Sequence, residues 1–261
     1  VIWQREDSTG VRGFDWNYLN PVIFYHPVQY SLGSPDNSIL GLDIGINLFR
    51  SIKFFGQFVL DDLDVERMKE GDGFILTKYG FQSGLKWHDL FRIKNLYLHS
   101  EYNYSRPYVY AHKEPLQNYS HYYAPLAHPL GANFKESVNI LNYRAGDFLL
   151  EFRYNHIVYG ADTANSHWGQ NIFRTDYDAQ RGFTPFNPET GYGYNNFTTQ
   201  GLKTTIKFTS FTLAYLLNPE TNMQFVIGIE NRKEKTILDT KNSNYLFFSF
   251  KTSLHNFYRD F

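Results

Sequence analysis

The 261-residue sequence contains no cysteine. Disulfide frameworks, thiolate nucleophiles and zinc sites with cysteine ligands are therefore excluded. It also lacks an excess of either charge, because 25 lysines and arginines are balanced by 26 aspartates and glutamates, for a net charge of −1. Since proteins that bind nucleic acid usually carry a basic face, no nucleic-acid partner is expected.

Long apolar runs are missing as well. No stretch approaches the roughly 18 consecutive apolar residues that a transmembrane helix requires. The N-terminus has no charged segment ahead of an apolar core, as a signal peptide would, and Val1-Ile2-Trp3 is typical of the end of a strand. We therefore expect the sequence to begin inside a longer protein.

Aromatic residues are abundant, at 19 % of the total, yet the mean hydropathy of −0.46 is that of a polar protein. A transmembrane β-barrel reconciles the two values, because alternate residues face lipid while the others face a polar interior. Strict alternation begins at residue 38, where Leu40 to Leu48 place leucine and isoleucine on one face and Gly41, Asp43, Gly45 and Asn47 on the other. This pattern predicts a strand.

The alternation recurs to the end of the chain, and about nine to eleven such strands can be counted. Residues 38–261 are therefore predicted to form a meander of barrel strands, whereas residues 1–37 are irregular and hold one or two initial strands. A change of apolar parity near Ser210 predicts a β-bulge.

A β-sandwich would show the same alternation with its apolar face inward. Three features favour the barrel: strands of roughly 9 to 11 residues, the length needed to cross a bilayer, aromatic residues near strand ends, and connections that alternate between short and long. Short turns fall at 50–51, 144–146 and 218–221, and long loops at 62–78, 105–136, 160–200 and 231–244.

In outer-membrane barrels the short turns are periplasmic and the long loops external. The prediction is therefore an all-β, antiparallel, multi-pass barrel of a bacterial outer membrane, in contact with outer-membrane lipid, with a periplasmic C-terminus. The mixed charge of its interior predicts either cross-strand ion pairs or a polar, hydrated lumen, and not a strongly ion-selective pore. The lumen-facing candidates are Lys53, Gln57, Lys86, His99, Glu101, Glu151 and Arg153.

The two longest loops are rich in side chains suited to sugars. Aromatic rings stack on the CH faces of a sugar while their polar edges make hydrogen bonds, and arginine can pair with an anionic sugar. The alternative is that these rings pack the loops into a plug, which the prolines of residues 105–136 would stiffen. The candidates are Arg106, Tyr108, Tyr110, His112, Tyr119, His121, Tyr122, Tyr123, His128, Trp168, Arg174, Tyr177 and Tyr192.

No metal site, cofactor or catalytic residue is predicted. His112, His121 and His128 are separated by nine and seven residues, which matches no fixed zinc pattern. Asp61, at a predicted strand end near two other aspartates, lacks the glycine and distal glutamate of a calcium loop and is interpreted as solvated. There is no nucleophile elbow and no phosphate-binding loop.

Two segments resemble a known family. LNPVIFYHPVQYSLGSPDNSILG at 19–41 and NYSHYYAPLAHPLGANF at 118–134 look like the C-terminal half of the Wzi-type capsule-assembly outer-membrane barrels, in the RemB-like version of gliding bacteria. LNPETN at 217–222 and the ending LHNFYRDF at 254–261 fit the same family. The resemblance implies a barrel of about 18 strands, of which this chain would be the C-terminal portion.

The resemblance also implies a role in surface polysaccharide or motility. The leading hypothesis is a non-enzymatic outer-membrane barrel that attaches capsule or exopolysaccharide, or supports gliding, through its aromatic external loops. The alternatives are a structural subunit of a larger outer-membrane secretion or motility complex, docked on other outer-membrane proteins, a passive sugar porin, and a soluble β-sandwich lectin.

Overall fold

The computed structural model describes residues 6–7, 10–11, 37, 39–62, 65–180 and 193–252. Strands are the main regular structure of these residues, which contain only one short α-helix, so the predicted all-β class is confirmed. The elements are β1 (Glu6–Asp7), β2 (Gly10–Val11), β3 (Leu40–Leu48), β4 (Ile52–Asp62), α1 (Val65–Glu70), β5 (Lys78–His88), β6 (Leu96–Ser105), β7 (Ser120–His121), β8 (Ala124–Pro125), β9 (Phe134–Ala145), β10 (Phe148–Ala161), β11 (Leu202–Asn218), β12 (Met223–Lys235) and β13 (Thr240–Lys251).

Nine of the strands form one antiparallel sheet in the order β3-β4-β5-β6-β9-β10-β11-β12-β13. Every neighbour in the sheet is the next long strand in the chain, so the predicted meander is confirmed. Tight connections at 49–51, 89–95, 146–147 and 219–222 lie at one end of the sheet, and the connections 63–77, 106–133, 162–201 and 236–239 lie at the other. β1 pairs with β2 and β7 with β8 in two separate short hairpins.

One face of the sheet carries a continuous apolar row. The register aligns one residue from each strand: Leu48, Ile52, Trp87, Leu98, Leu141, Phe152, Phe211, Ile229 and Leu246. All nine are exposed or half-buried in the described protein. A soluble sheet would bury such a row, because large contiguous apolar surface in water is disfavoured.

The opposite face is mixed and polar. All seven lumen-facing candidates lie on it, since their positions alternate with those of the apolar row in each strand. A sequence-neighbouring pair, His99 Nε2 and Glu101, is joined at 3.1 Å, and Lys86 lies 5.2 Å from the Phe55 ring centroid. Among the described residues, none of these seven forms a cross-strand ion pair with another of the seven, and the polar, hydrated interior is the alternative that stays a prediction.

Two phenylalanines on the polar face cover glycines of the neighbouring strand. A Cβ built at Gly84 would collide with the ring of Phe55, and one at Gly228 would collide with the ring of Phe247. An aromatic ring folded over a strand glycine fills the space that the missing side chain leaves. The glycines are therefore packing positions rather than weak points of the sheet.

One prediction about a strand boundary is wrong. The predicted loop at 231–244 is only residues 236–239, because β12 runs to Lys235 and β13 begins at Thr240. Residues near this end are polar on both faces, so alternation does not reveal them. Asn231 donates to Asn242 and Asn244 at 2.9 and 2.6 Å, which replaces apolar pairing in this part of the ladder.

The predicted bulge near Ser210 is also absent, and the only register shift between β11 and β12 lies at Leu216/Asn218. The parity changes because β11 leaves the apolar band. On the face that carries the apolar row, β11 has lysine and threonine at alternate positions from 203 to 209, and phenylalanine, leucine and tyrosine at alternate positions from 211 to 217.

Most of the initial segment 1–37 lies outside the described residues, and no helix in the described ranges is long and apolar enough to cross a membrane.

β3 and β13 are the two edges of the sheet, and neither pairs with the other. Within the described ranges each edge therefore has one row of backbone groups without a strand partner. An antiparallel sheet of nine strands is confirmed, and within the described residues this sheet is not closed into a barrel.

Candidate functional site

Most of the fully buried side chains lie in the long connections, and few lie in the sheet. We call residues 71–77, 106–133, 162–180 and 193–201 the loop cap. Its buried residues form two apolar clusters, one of Phe74, Ile75, Tyr108, Ala179 and Tyr194, the other of Val109, Tyr110, Ala132 and Ile172. Each cluster joins separate connections, so the cap is a folded unit, not a set of independent loops.

A buried ion pair ties the cap to the sheet. Lys78, the first residue of β5, is fully buried, and its Nζ donates to Asp176 Oδ2 and to the carbonyl of Ala111, both at 2.8 Å. The Asp176 side chain is only 4 % exposed. One ammonium group thus joins the sheet to two segments of the cap, and removing either charge would take this close partner away from the other in a buried site.

Asn133 is a second junction, where the cap meets the ends of the strands. Its side-chain amide donates to the carbonyls of Gly160 and Gln200, both at 2.9 Å, and its carbonyl accepts from the amide of Thr199 at 2.6 Å. The residue is fully buried and has φ of 60°. Asparagine tolerates this left-handed conformation better than most residues, which explains why it occupies the position.

The Asp162 carboxylate organises the following turn. It accepts from the amides of Trp168 and Asn171, the latter at 2.9 Å, and from His167 Nδ1 at 3.2 Å. Burial alone would raise the pKa of Asp162, but the hydrogen bonds from His167 and the two amides outweigh it and lower that pKa below its usual value. The turn is therefore held by a charged carboxylate.

Asp61 does not lie in solvent as predicted. It is 4 % exposed, and it accepts from the backbone amide of Tyr110 at 2.8 Å and from Asn37 Nδ2 at 3.4 Å. Burial, followed by the charge of Asp61, raises the pKa of the Tyr110 hydroxyl well above its usual value. The aspartate at the end of β4 is thus a fixed anchor for the cap.

A chain of hydrogen bonds leads from the polar face into the cap. Asn103 Nδ2 donates to Glu101 at 2.7 Å and to Glu136 at 3.1 Å. His128 Nε2 lies 2.9 Å from the same Glu136 oxygen, while its Nδ1 accepts from the Leu130 amide at 3.2 Å. Since Nδ1 accepts a hydrogen bond, Nε2 carries the ring proton and donates a hydrogen bond to Glu136. His128 is thereby positioned within the protein.

A tyrosine pair forms the most exposed point of the cap. His121 pairs with Ala124, so Tyr122 and Tyr123 alone make the turn between β7 and β8. Both have positive φ, 46° and 57°, and their side chains are 89 % and 94 % exposed. A type I′ turn of this kind favours Asn-Gly, and a non-glycine residue in the left-handed region costs about 1–2 kcal/mol. Strained residues of this kind cluster at binding sites.

A cavity of about 500 Å³ lies between the cap and the polar face of the sheet. Asp43, Gln57, Gln82 and Asn103 line its floor, and they occupy one row across β3, β4, β5 and β6. Tyr110 and Tyr119 line its other side, with ring centroids 5.7 Å apart and an angle of 29° between the rings. The cavity thus combines amides, a carboxylate and aromatic rings, and its size is typical of ligand sites.

No family model, curated protein or solved structure matches the chain. The resemblance to Wzi-type barrels therefore stays a prediction. Of the two longer segments that carry it, only 118–134 lies wholly within the described residues.

The predicted sugar-binding side chains fall into two groups. Tyr108 and Tyr110 are buried, so their rings pack the cap, as the plug interpretation predicts. Arg106 donates to the Asn196 carbonyl at 2.9 Å and lies over Tyr79, and burial lowers its pKa. Five further candidates are half-buried and also belong to this first group: His112, Tyr119, His128, Trp168 and Arg174. The second group is exposed and consists of His121, Tyr122, Tyr123 and Tyr177. Tyr192 lies outside the described residues.

Sequence reasoning missed the residues that organise the cap. The sequence places Lys78 only at the end of the predicted long loop 62–78, and Asp176 is not among the predicted site residues. No periodicity marks such partners, since 98 positions separate them in the chain. The row of amides was detectable in part, because Gln57 was placed on the lumen-facing side.

Proposed function

We propose that the chain forms part of the wall of an outer-membrane β-barrel, whose loop cap attaches surface polysaccharide or supports gliding without catalysis. The observation that carries the proposal is the apolar row that crosses all nine strands on the exposed face. In a bilayer this face meets lipid, and only a closed barrel satisfies the backbone groups of its edges. Further strands between β3 and β13, to a total of about 18, would close it.

The distribution of aromatic residues at both ends of the strands supports a sheet that spans the membrane. At the cap end, Arg106 lies 5.6 Å from the Tyr79 ring centroid and Lys135 lies 5.9 Å from that of Tyr104. At the turn end, Phe49 is 87 % exposed and Phe91 73 %. Aromatic girdles mark the two interfaces of outer-membrane barrels. In this proposal the cap is external and the short turns are periplasmic.

The Tyr122–Tyr123 turn is the proposed contact with polysaccharide. Two exposed rings on a rigid turn offer stacking surfaces to sugar CH faces at little cost in conformational entropy, and their hydroxyls can bond sugar hydroxyls. The unfavourable backbone conformation is consistent with selection for the rings, because Asn-Gly would form the same turn with less strain. The resemblance of segment 118–134 to capsule-assembly barrels points to the same ligand.

The test replaces the rings while keeping the turn. The double variant Tyr122→Asn, Tyr123→Gly preserves type I′ geometry, so cap folding should be unaffected or improved. Two aromatic contacts are worth about 1–3 kcal/mol together, so we expect about tenfold less polysaccharide retained on cells. The matched control is Ile237→Asn, Leu238→Gly, which removes two exposed apolar side chains from the 236–239 turn at the same end of the sheet. Equal retention in wild type and variant would refute the proposal.

A second candidate function is docking of another outer-membrane protein. Tyrosine is enriched at protein interfaces as well as at sugar sites, and the exposed turn suits either ligand. Affinity purification in mild detergent distinguishes the two. A stoichiometric protein that co-purifies with wild type and is lost in Tyr122→Asn, Tyr123→Gly would favour the subunit role over polysaccharide attachment.

A further inference from the structure

We propose that the cavity between the loop cap and the polar face is a binding site for a short, uncharged oligosaccharide. This inference rests on the proposed role in polysaccharide attachment, but it concerns a different part of the molecule from the Tyr122–Tyr123 turn. The proposed ligand lies in the space between the loop cap and the polar face of the sheet.

The floor of the cavity is built for hydroxyl groups. Asp43, Gln57, Gln82 and Asn103 are register partners on adjacent strands, so their side chains project side by side from one face. Adjacent strands are about 4.8 Å apart. Planar amide and carboxylate groups both accept and, for the amides, donate hydrogen bonds. A row at this spacing matches the succession of hydroxyls along a sugar chain.

Three of these four side chains are available for a ligand. Asp43, Gln57 and Gln82 make no side-chain hydrogen bond or ion pair with any residue that the structure describes. Asn103, by contrast, is buried and held by Glu101 and Glu136. The floor therefore has free polar groups at one end and a positioned amide at the other.

The opposite side of the cavity supplies the apolar contact that a sugar also needs. Tyr119 stacks on Tyr110, and the backbone amide of Tyr110 is fixed by Asp61 at 2.8 Å. The rings are thus held in place before a ligand arrives, which lowers the entropy cost of binding. Amides on one side and tyrosine rings on the other are the two complementary surfaces of a sugar site.

The charge of the lining determines which sugars fit. Among the described residues, no lysine or arginine lines the cavity, whereas Asp43 is an acidic residue on its floor. A uronic acid would be repelled by Asp43, with no lysine or arginine of the described lining to offset the repulsion. The ligand we propose is accordingly neutral, and this distinguishes the cavity from an arginine site for acidic glycans.

Glycine at position 41 offers a way to block the cavity without disturbing the fold. Gly41 lines the cavity, and a Cβ built on it meets no atom within 4 Å. Gly41→Trp should therefore fill the space. Gly45 lies four residues further along the same strand, on the same face, and its Cβ would meet only Lys53 Cε at 3.6 Å. Gly45→Trp is the matched control, with the same added bulk outside the lining.

The experiment measures binding to the full-length protein in detergent by titration calorimetry. The probes are neutral tetrasaccharides of glucose, galactose or N-acetylglucosamine, compared with oligogalacturonate of equal length. We expect binding of at least one neutral probe, loss of that binding in Gly41→Trp and its retention in Gly45→Trp. Gln57→Ala and Gln82→Ala should each weaken it by up to about tenfold, with an unchanged melting temperature because neither side chain has a partner in the described protein.

Three outcomes would overturn the inference: no neutral probe binds, oligogalacturonate binds more tightly, or Gly41→Trp binds as wild type does. The variant Tyr122→Asn, Tyr123→Gly separates this inference from the proposed function. If that variant loses polysaccharide retention on cells while Gly41→Trp leaves neutral-probe binding intact, the cavity site is refuted and the proposed function stands. If cavity binding is confirmed but retention does not depend on the turn, the proposed role of the turn is refuted and the cavity site stands.

Discussion

Breaking the buried pair of Lys78 and Asp176 should open the loop cap without unfolding the sheet. The substitution is Asp176→Asn, which keeps the shape of the side chain and removes its charge. Lys78 then remains a buried ammonium, and the carboxylate that lies 2.8 Å from it in the wild type is replaced by a neutral amide. Because Lys78 also donates to Ala111, the loss affects segments 106–133 and 162–180 together.

The expected magnitude follows from the burial of both groups, with side-chain exposures of 0 % and 4 %. Removing one partner of a buried ion pair typically costs about 3–5 kcal/mol, because the remaining charge is left without compensation. An apolar pair of similar size is often neutral or stabilising. The double variant Lys78→Met, Asp176→Leu should therefore recover most of the loss, although Ala111 then lacks its donor.

Hydrogen exchange followed by mass spectrometry measures this effect in the detergent-solubilised protein. A loss of about 3 kcal/mol corresponds to roughly hundredfold faster exchange, and it should appear in peptides from 106–133 and 162–180. Peptides from β11 and β12 serve as an internal control and should keep their protection. Unchanged exchange of the cap in Asp176→Asn, or equal loss throughout the sheet, would refute the view that this pair holds the cap as a separate unit.

Three further outcomes are expected. Gly160→Ala should destabilise the cap, because its Cβ would collide with the Gln200 carbonyl, whereas Gly41→Ala should be tolerated; thermal melting compares them. Phe152→Lys should cost about 2–4 kcal/mol in a bilayer, and Leu149→Lys, on the polar face, much less, as denaturation in lipid vesicles would show. The lowered pKa of Asp162 means that its stabilising effect is present above the usual carboxyl pKa and is lost as pH falls through the folded value, so protease cleavage near Trp168 should rise only in strong acid.

The sheet could be predicted in detail because its physics is local. Alternation along each strand reports which residues share a face, so the apolar positions and the seven polar-face candidates could be assigned from the sequence. Alternation does not reveal a strand where both faces become polar, as at Asn231 and Lys233. It also misleads at Ser210, where the outward face of a regular strand changes from polar to apolar and imitates a β-bulge.

The cap could be located from the sequence but not constructed. Its aromatic content predicted a folded or functional loop, yet nothing local pairs Lys78 with Asp176 or turns Asp61 inward toward Tyr110. The Tyr122–Tyr123 turn was missed for a different reason. Its backbone is the one that Asn-Gly signals, and two tyrosines give no such signal.

The meander sets the order in which the molecule can form. Each strand pairs with the next long strand along the chain, so the sheet can grow one hairpin at a time through contacts of short sequence separation. The cap must instead bring together residues 98 positions apart in the Lys78–Asp176 pair and 67 apart at Asn133 and Gln200. Closing such distances is slow. We therefore expect the two charges to stay hydrated while the strands assemble and to be buried only in a late folding step, after the sheet has formed.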